Sequence, residues 1–151
     1  MTSEDLIQIE KIRQLKARYF RLLDEKRWAE WADVFCEDVR IDTTQDGAPL
    51  LEGRDAFVSF LPPVLEGVLT AHFGHTSEIT LLDADHARGI WAMEDRLWFP
   101  PEKGGQTMHG TGWYHEKYRR EGDGAWRIAE MVLRRSRVQF GDQQVFPPAP
   151  E

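Results

Sequence analysis

Between residues 4 and 23, apolar side chains return every three or four positions: Ile9, Ile12, Leu15, Tyr19, Phe20, Leu22 and Leu23, with charges between them. That spacing predicts a long amphipathic helix with one buried face. Thr2 or Ser3 can cap its start, and Glu4 and Asp5 suit the positive end of its dipole. A second, short helix is expected from Trp28 to Phe35, gathering Trp28, Trp31, Ala32 and Phe35 on one side to complete a helical hairpin. Val39 to Asp42 reads as a short strand running into the turn-rich Thr43–Gly47. A third helix is expected from near Gly53 to just before Pro62-Pro63, because proline disfavours helical geometry in the residue before it. Residues 64–71 then read as a connection.

Beyond residue 75 the period drops from that of a helix to the alternation of strands. Strands are expected near 76–82, 87–99, 107–119 and 126–138, with turns at Pro100–Gly105 and Arg120–Gly124. Residues 141–151 carry no pattern and read as an irregular tail. Helices first and long antiparallel strands afterwards predict a single α+β domain over residues 1–140, with helices on one face of a curved sheet. The open mouth between the two layers is the natural pocket.

Charge and cysteine content narrow the function classes. A net charge of −7 and a pI near 5.3 leave no broad basic footprint, so a nucleic-acid partner is not expected. No run approaches the roughly 20 apolar residues of a membrane span, and the first residues are acidic where a signal peptide needs positive charge, so a cytoplasmic protein without a membrane partner is expected. Cys36 is the only cysteine, which excludes an internal disulfide; beside Phe35 it reads as a small buried residue rather than a nucleophile.

His72 and His75 open what reads as an apolar strand, Ile79–Leu82. An imidazole there can be a general base near neutral pH if a carboxylate fixes its tautomer. Asp95 is one candidate: it is the lone charge on the strand face formed by Gly89, Trp91, Met93, Leu97 and Phe99, although a bulge would turn it to solvent. Asp24 is another, about 40° round the first helix from Phe20. It opposes the helix dipole unless something compensates, or it caps the second helix. Tyr19 lies in the apolar arc, either as plain core or with its hydroxyl seeking a partner. Met131, Leu133, Arg135 and Arg137 share a strand face, where an arginine is suited to a carboxylate or oxyanion, or marks a solvated strand end. On the strand 107–119, His109, Thr111, Trp113 and His115 share one face, and Gly110, Gly112, Tyr114 and Tyr118 the other. Glycines permit close approach, which favours Tyr114 as the pocket residue, and the opposite assignment stays open. His72 and His75 could also pair on a metal, but no third ligand stands at a recognisable offset, so no metal is expected.

Taken together, Tyr19 with Asp24, Thr70-Ala-His72, Trp91-Ala-Met-Glu-Asp95, Gly110-Thr-Gly-Trp-Tyr114 and Trp126-Arg-Ile resemble the SnoaL-like branch of the nuclear transport factor 2 superfamily, over roughly residues 5–138. The resemblance implies a cone-shaped α+β barrel enclosing a deep pocket. Relatives include scytalone dehydratase, ketosteroid isomerase, polyketide cyclases, hexachlorocyclohexane dehydrochlorinase and bile acid 7α-dehydratase. The last two carry a His–Asp dyad, which His72 and Asp24 resemble; Tyr19 and Asp95 look like pocket positions of the bile acid enzyme, and Arg135 like its basic residue on the last strand. His75 has no counterpart.

What the resemblance implies is a cofactor-independent lyase, a dehydratase using β-elimination. His72 would be the base, Asp24 its orienting partner and Tyr19 the donor to the departing oxygen. Asp95, Arg135, Trp91, Met93, Leu97 and Tyr114 would surround a small hydrophobic cyclic or aromatic hydroxylated substrate. The same dyad would serve an isomerase, a cyclase or a carbon–carbon lyase, and a non-catalytic ligand-binding or assembly subunit would have the same fold. Trp98 and Trp113 on the outer sheet face predict a homo-oligomer, a dimer or trimer.

Overall fold

The computed structural model describes residues 1–147. Helix α1 (Ser3–Asp24) starts from a reciprocal cap: the Thr2 hydroxyl accepts from the Asp5 amide at 3.1 Å, and the Asp5 carboxylate accepts from the Thr2 amide at 2.7 Å. Its buried arc holds the expected apolar residues and also Lys16. Helix α2 (Trp28–Ala32) is shorter than its pattern, because Phe35 belongs to strand β1 (Phe35–Asp42), where it is fully buried opposite Ile128. Helix α3 (Arg54–Leu65) runs through Pro62 and Pro63 instead of stopping before them. Two amide donors are missing from its last turn, but Phe57 and Leu65 are buried there, and the Lys103 ammonium donates to the carbonyls of Pro63 and Val64 at 3.2 and 3.3 Å.

The remaining strands are β2 (Leu51–Glu52), β3 (Leu69–Leu81), β4 (His86–Trp98), β5 (Thr107–Arg120), β6 (Trp126–Phe140) and β7 (Gln143–Phe146). They form one sheet in the order β2-β1-β6-β5-β4-β3, with β7 also on β6. Among the described residues only β1 and β6 run parallel. The sheet is curved and unclosed, and the three helices pack against it, an α+β architecture as expected. β7 falls inside the stretch read as an irregular tail; the end of that tail, residues 148–151, lies outside the described residues.

β3 departs most from expectation, beginning at Leu69 instead of near residue 76. Its inward positions are Thr70, His72 and Gly74, none of which is apolar with a side chain of any size, and its register breaks between Gly74 and Ser77. Gly74 is required by α1: a Cβ there would lie 2.5 Å from the Phe20 ring. β4 alternates in the predicted phase and β5 turns its glycine-bearing face inward, so Asp95, Gly110 and Tyr114 face inward while His109 and His115 face out. The outer face leaves Trp98 39% and Trp113 46% exposed. On β6, Met131, Leu133 and Arg135 point inward, but a register shift opposite Thr111 and Gly112 turns Arg137 away and puts Val138 inside. Among the described residues, no helix is long and apolar enough to cross a membrane.

Candidate active site

His72, Asp95 and Gly110 are cross-strand neighbours on β3, β4 and β5. The row places an imidazole beside a carboxylate, and then a gap. Through that gap reaches Arg135 of β6; a Cβ at position 110 would collide with its guanidinium and with the Asp95 carboxylate. Only glycine permits the pair that forms there, with Nη1 on Oδ1 at 2.7 Å and Nη2 on Oδ2 at 3.0 Å, both side chains 4% exposed.

Asp24, at the C-terminal end of α1, faces β3 rather than capping α2. Its Oδ1 accepts from the Thr70 hydroxyl at 2.8 Å and meets His72 Nδ1 at 2.7 Å, while Oδ2 accepts from the His72 backbone amide at 2.8 Å. A carboxylate surrounded by donors places the ring proton on Nδ1 and leaves Nε2 bare. Nε2 looks inward, 3.9 Å from Asp95 Oδ2. One oxygen at hydrogen-bond distance from both atoms fits that gap.

A cavity of about 550 Å³ opens beside His72. Its polar wall is Tyr19, Gln45, Asp46, His72, Asp95, Tyr114 and Arg135; the rest is mainly apolar, from Phe57, Phe60 and Leu61 of α3 round to Leu97, Leu133 and Phe140 of the sheet. The Tyr19 hydroxyl is held well above the usual phenol range by burial, then by the Glu116 charge, with the Tyr114 hydroxyl working the other way. Tyr114 is raised likewise by burial. Both are neutral donors at any physiological pH.

Of the residues expected to surround a substrate, Asp95, Arg135, Leu97 and Tyr114 line this cavity, whereas Trp91 and Met93 do not. The correction has a simple cause: α1 covers that part of the sheet. Trp91 packs near Gly74 and Phe20 and donates its indole N–H to Tyr118 at 2.8 Å, and Met93 sulfur lies 3.7 Å from Arg135 Nη1. Arg135 itself is more committed than expected. Besides Asp95 and Met93 it holds Asp46, through Nε at 3.1 Å and Nη2 at 3.0 Å, so every guanidinium N–H is occupied. Burial opposes its charge, yet the carboxylates of Asp95 and Asp46 raise its pKa above the ordinary arginine value. It holds the Thr43–Gly47 turn at the cavity wall, aided by Gln45, whose side-chain oxygen accepts from the Arg135 amide at 2.6 Å.

His75 points outward to Glu94 at 3.5 Å, so the two histidines do not converge on a metal; among the described residues no group of three or more His, Cys, Asp and Glu could hold one. Burial pushes the Cys36 thiol up to about 12, leaving it protonated and unreactive.

A second polar cluster escaped the sequence reading. Lys16 and Glu116, both fully buried, pair at 2.5 Å, and the other Glu116 oxygen accepts from Tyr118. The ammonium also lies 3.7 Å from the ring centre of Tyr19 and 3.8 Å from that of Tyr114. The signals were available, since Lys16 stands midway between Ile12 and Phe20 in the apolar arc and Glu116 between Tyr114 and Tyr118 on the glycine-bearing face.

A protein-family profile described as a SnoaL-like domain matches residues 4–132. Among solved structures, a putative scytalone dehydratase from Novosphingobium aromaticivorans is 21% identical, the match covering 99% of this chain and 97% of that one at a TM-score of 0.81. A type 2 hexachlorocyclohexane dehydrochlorinase is 18% identical over 97% of each chain, with a TM-score of 0.80. A protein from Catenulispora acidiphila, solved in complex with S-DNPA, is 21% identical over 86% of this chain and 94% of that one, with a TM-score of 0.72. At these identities the likeness is one of fold.

Proposed function

The chain belongs to the SnoaL-like domain family, and on that premise we propose that it is a cofactor-independent lyase, a dehydratase acting by β-elimination on a small hydrophobic cyclic or aromatic hydroxylated substrate. The observation that carries the reading is the His72 ring, held by Asp24 at 2.7 Å with its other nitrogen turned toward an open cavity. A non-catalytic assembly subunit has no need of volume beside an oriented imidazole. The dehydratase and dehydrochlorinase among the structural neighbours lean the same way.

In the proposed reaction His72 Nε2 takes a proton from the carbon next to a carbonyl or similar activating group. The electrons of that C–H bond become the new double bond as the β carbon–oxygen bond breaks. Tyr19 gives its proton to the departing hydroxyl, which leaves as water. Burial holds the phenol above its usual range, so it stays protonated until negative charge builds on the departing oxygen. The imidazolium then returns its proton to the phenolate through solvent, restoring both groups. Asp24 stabilises the imidazolium, and Asp95 orients the substrate's polar group beside Nε2. Because every Arg135 donor is taken, the described residues of the cavity wall offer no free cation, which favours an uncharged substrate over a carboxylate.

A panel of β-hydroxy cyclic ketones and hydroxylated phenylpropanoids, followed by absorbance with a chelator present, tests this. The expected result is a growing conjugated-product band; no change across the panel, or activity that vanishes with chelator and returns with zinc, would contradict it. Assembly through the outer face bearing Trp98 and Trp113, into a dimer or trimer, belongs to the same proposal; a scattering mass of 17.6 kDa at micromolar concentration would count against it.

A further inference from the structure

Helix α1 ends in a turn that glycine ordinarily makes. The Lys26 amide donates to the Leu23 carbonyl at 3.1 Å and the Arg27 amide to the Leu22 carbonyl at 2.9 Å, the paired bonds of a Schellman motif. The position that must turn left-handed is held by Lys26, with φ 58°, the only non-glycine residue with positive φ among the described residues. Glycine would occupy that backbone without strain, so the lysine stands there against local preference.

That side chain runs to the site. Lys26 Nζ donates to the Thr70 hydroxyl at 2.8 Å, and Thr70, itself buried, donates to Asp24 Oδ1 at 2.8 Å, the same oxygen that meets His72 Nδ1. With its oxygen accepting from the ammonium, the Thr70 hydroxyl turns its proton to the carboxylate. Neither residue lines the cavity beside His72; Lys26 instead borders an outer depression of about 490 Å³ with Trp28, Pro62, Pro63, Leu65, Glu66 and Gly67. We infer that Lys26 and Thr70 are positioning residues for the dyad: the ammonium fixes Thr70 as a donor, and the doubly held Asp24 presents one oxygen to the His72 ring. The inference rests on the proposed role of His72 as base.

The charges around the relay are Asp24 within it and Glu66 across the depression; Glu25, Arg27 and Glu30, next along the chain, pair with one another. Burial holds the Lys26 ammonium below the ordinary lysine range, with Asp24 opposing.

Lys26→Gly separates the two roles of the residue, since it relieves the backbone while removing the relay. It should melt no lower than the parent. The proton on His72 Nδ1 that faces Asp24, followed as a downfield NMR signal on the substrate-free protein, should shift and exchange faster with solvent once Thr70 no longer holds the carboxylate. Turnover of a substrate found by the panel should fall about tenfold with KM little changed, and Lys26→Arg should recover most of it. An unchanged His72 Nδ1 proton signal together with parental turnover in Lys26→Gly overturns the inference. If that signal shifts but the parent acts on nothing in the panel, the relay stands and the lyase reading falls. If the parent is active, His72→Ala is dead and Lys26→Gly is indistinguishable from the parent, the relay falls and the lyase reading stands.

Discussion

Asp24→Asn is expected to leave the fold intact and to lower turnover by a factor on the order of 10³ to 10⁴, the scale seen when a carboxylate that orients a catalytic imidazole is neutralised. The amide matches the carboxylate in shape, but one of its two ends must now donate. Placed at the Oδ2 position it would face the His72 backbone amide, which cannot turn away; placed at Oδ1 it faces the Thr70 hydroxyl and the His72 ring, both of which can adapt. The second arrangement wins, and the ring adapts by taking the tautomer with its proton on Nε2. The base is then blocked at the atom that faces the cavity. Circular dichroism and thermal melting should be near parental while kcat collapses; a variant that keeps more than about a tenth of the activity would show that the tautomer does not matter.

Lys16→Met is expected to be the most damaging single change to stability. It strands the Glu116 carboxylate in the core, where both partners are 0% exposed. Removing one member of such a pair costs about 3–5 kcal/mol, a fall of roughly 10 °C or more in Tm for a chain of this size. The double variant Lys16→Met with Glu116→Gln should recover most of the loss, because the amide oxygen still accepts from Tyr118 and no charge is left buried. Thermal unfolding of parent, single and double variants decides it. A single variant within about 1 kcal/mol of the parent would mean that Glu116 takes up a proton and the pair contributes nothing net.

The helical period of α1 and the alternation of β4 and β5 made the two layers legible, and with them the inward aim of Asp95, whereas alternation on β5 left open whether Tyr114 or the histidines face the pocket. Alternation assigns a face but not what covers it. Trp91 and Leu97 share one face of β4, yet Trp91 lies under α1 and Leu97 under the open mouth. β3 was hidden for the opposite reason: its inward positions carry Thr70, His72 and Gly74, so the chemistry replaced the apolar pattern that would have announced a strand. The pairing of Asp24 with His72 came from resemblance, because local physics left Asp24 equally able to cap a helix. Lys16 and Glu116 stand 100 positions apart, and each alone reads as a lone charge in an apolar pattern. The occupation of Arg135 by Asp46 depends on a turn whose path has no periodic signature.

The measurement that bears most directly on His72 as the base is exchange at substrate carbon. A hydroxylated cyclic ketone from the panel is incubated in D₂O with the parent protein or with His72→Ala, and the signal of the proton next to the carbonyl is followed by NMR. The parent is expected to remove that proton at least as fast as product forms, and His72→Ala to bind the same compound but leave the signal at its uncatalysed rate. Loss of the proton at the parental rate in His72→Ala would contradict it and assign the base to another residue.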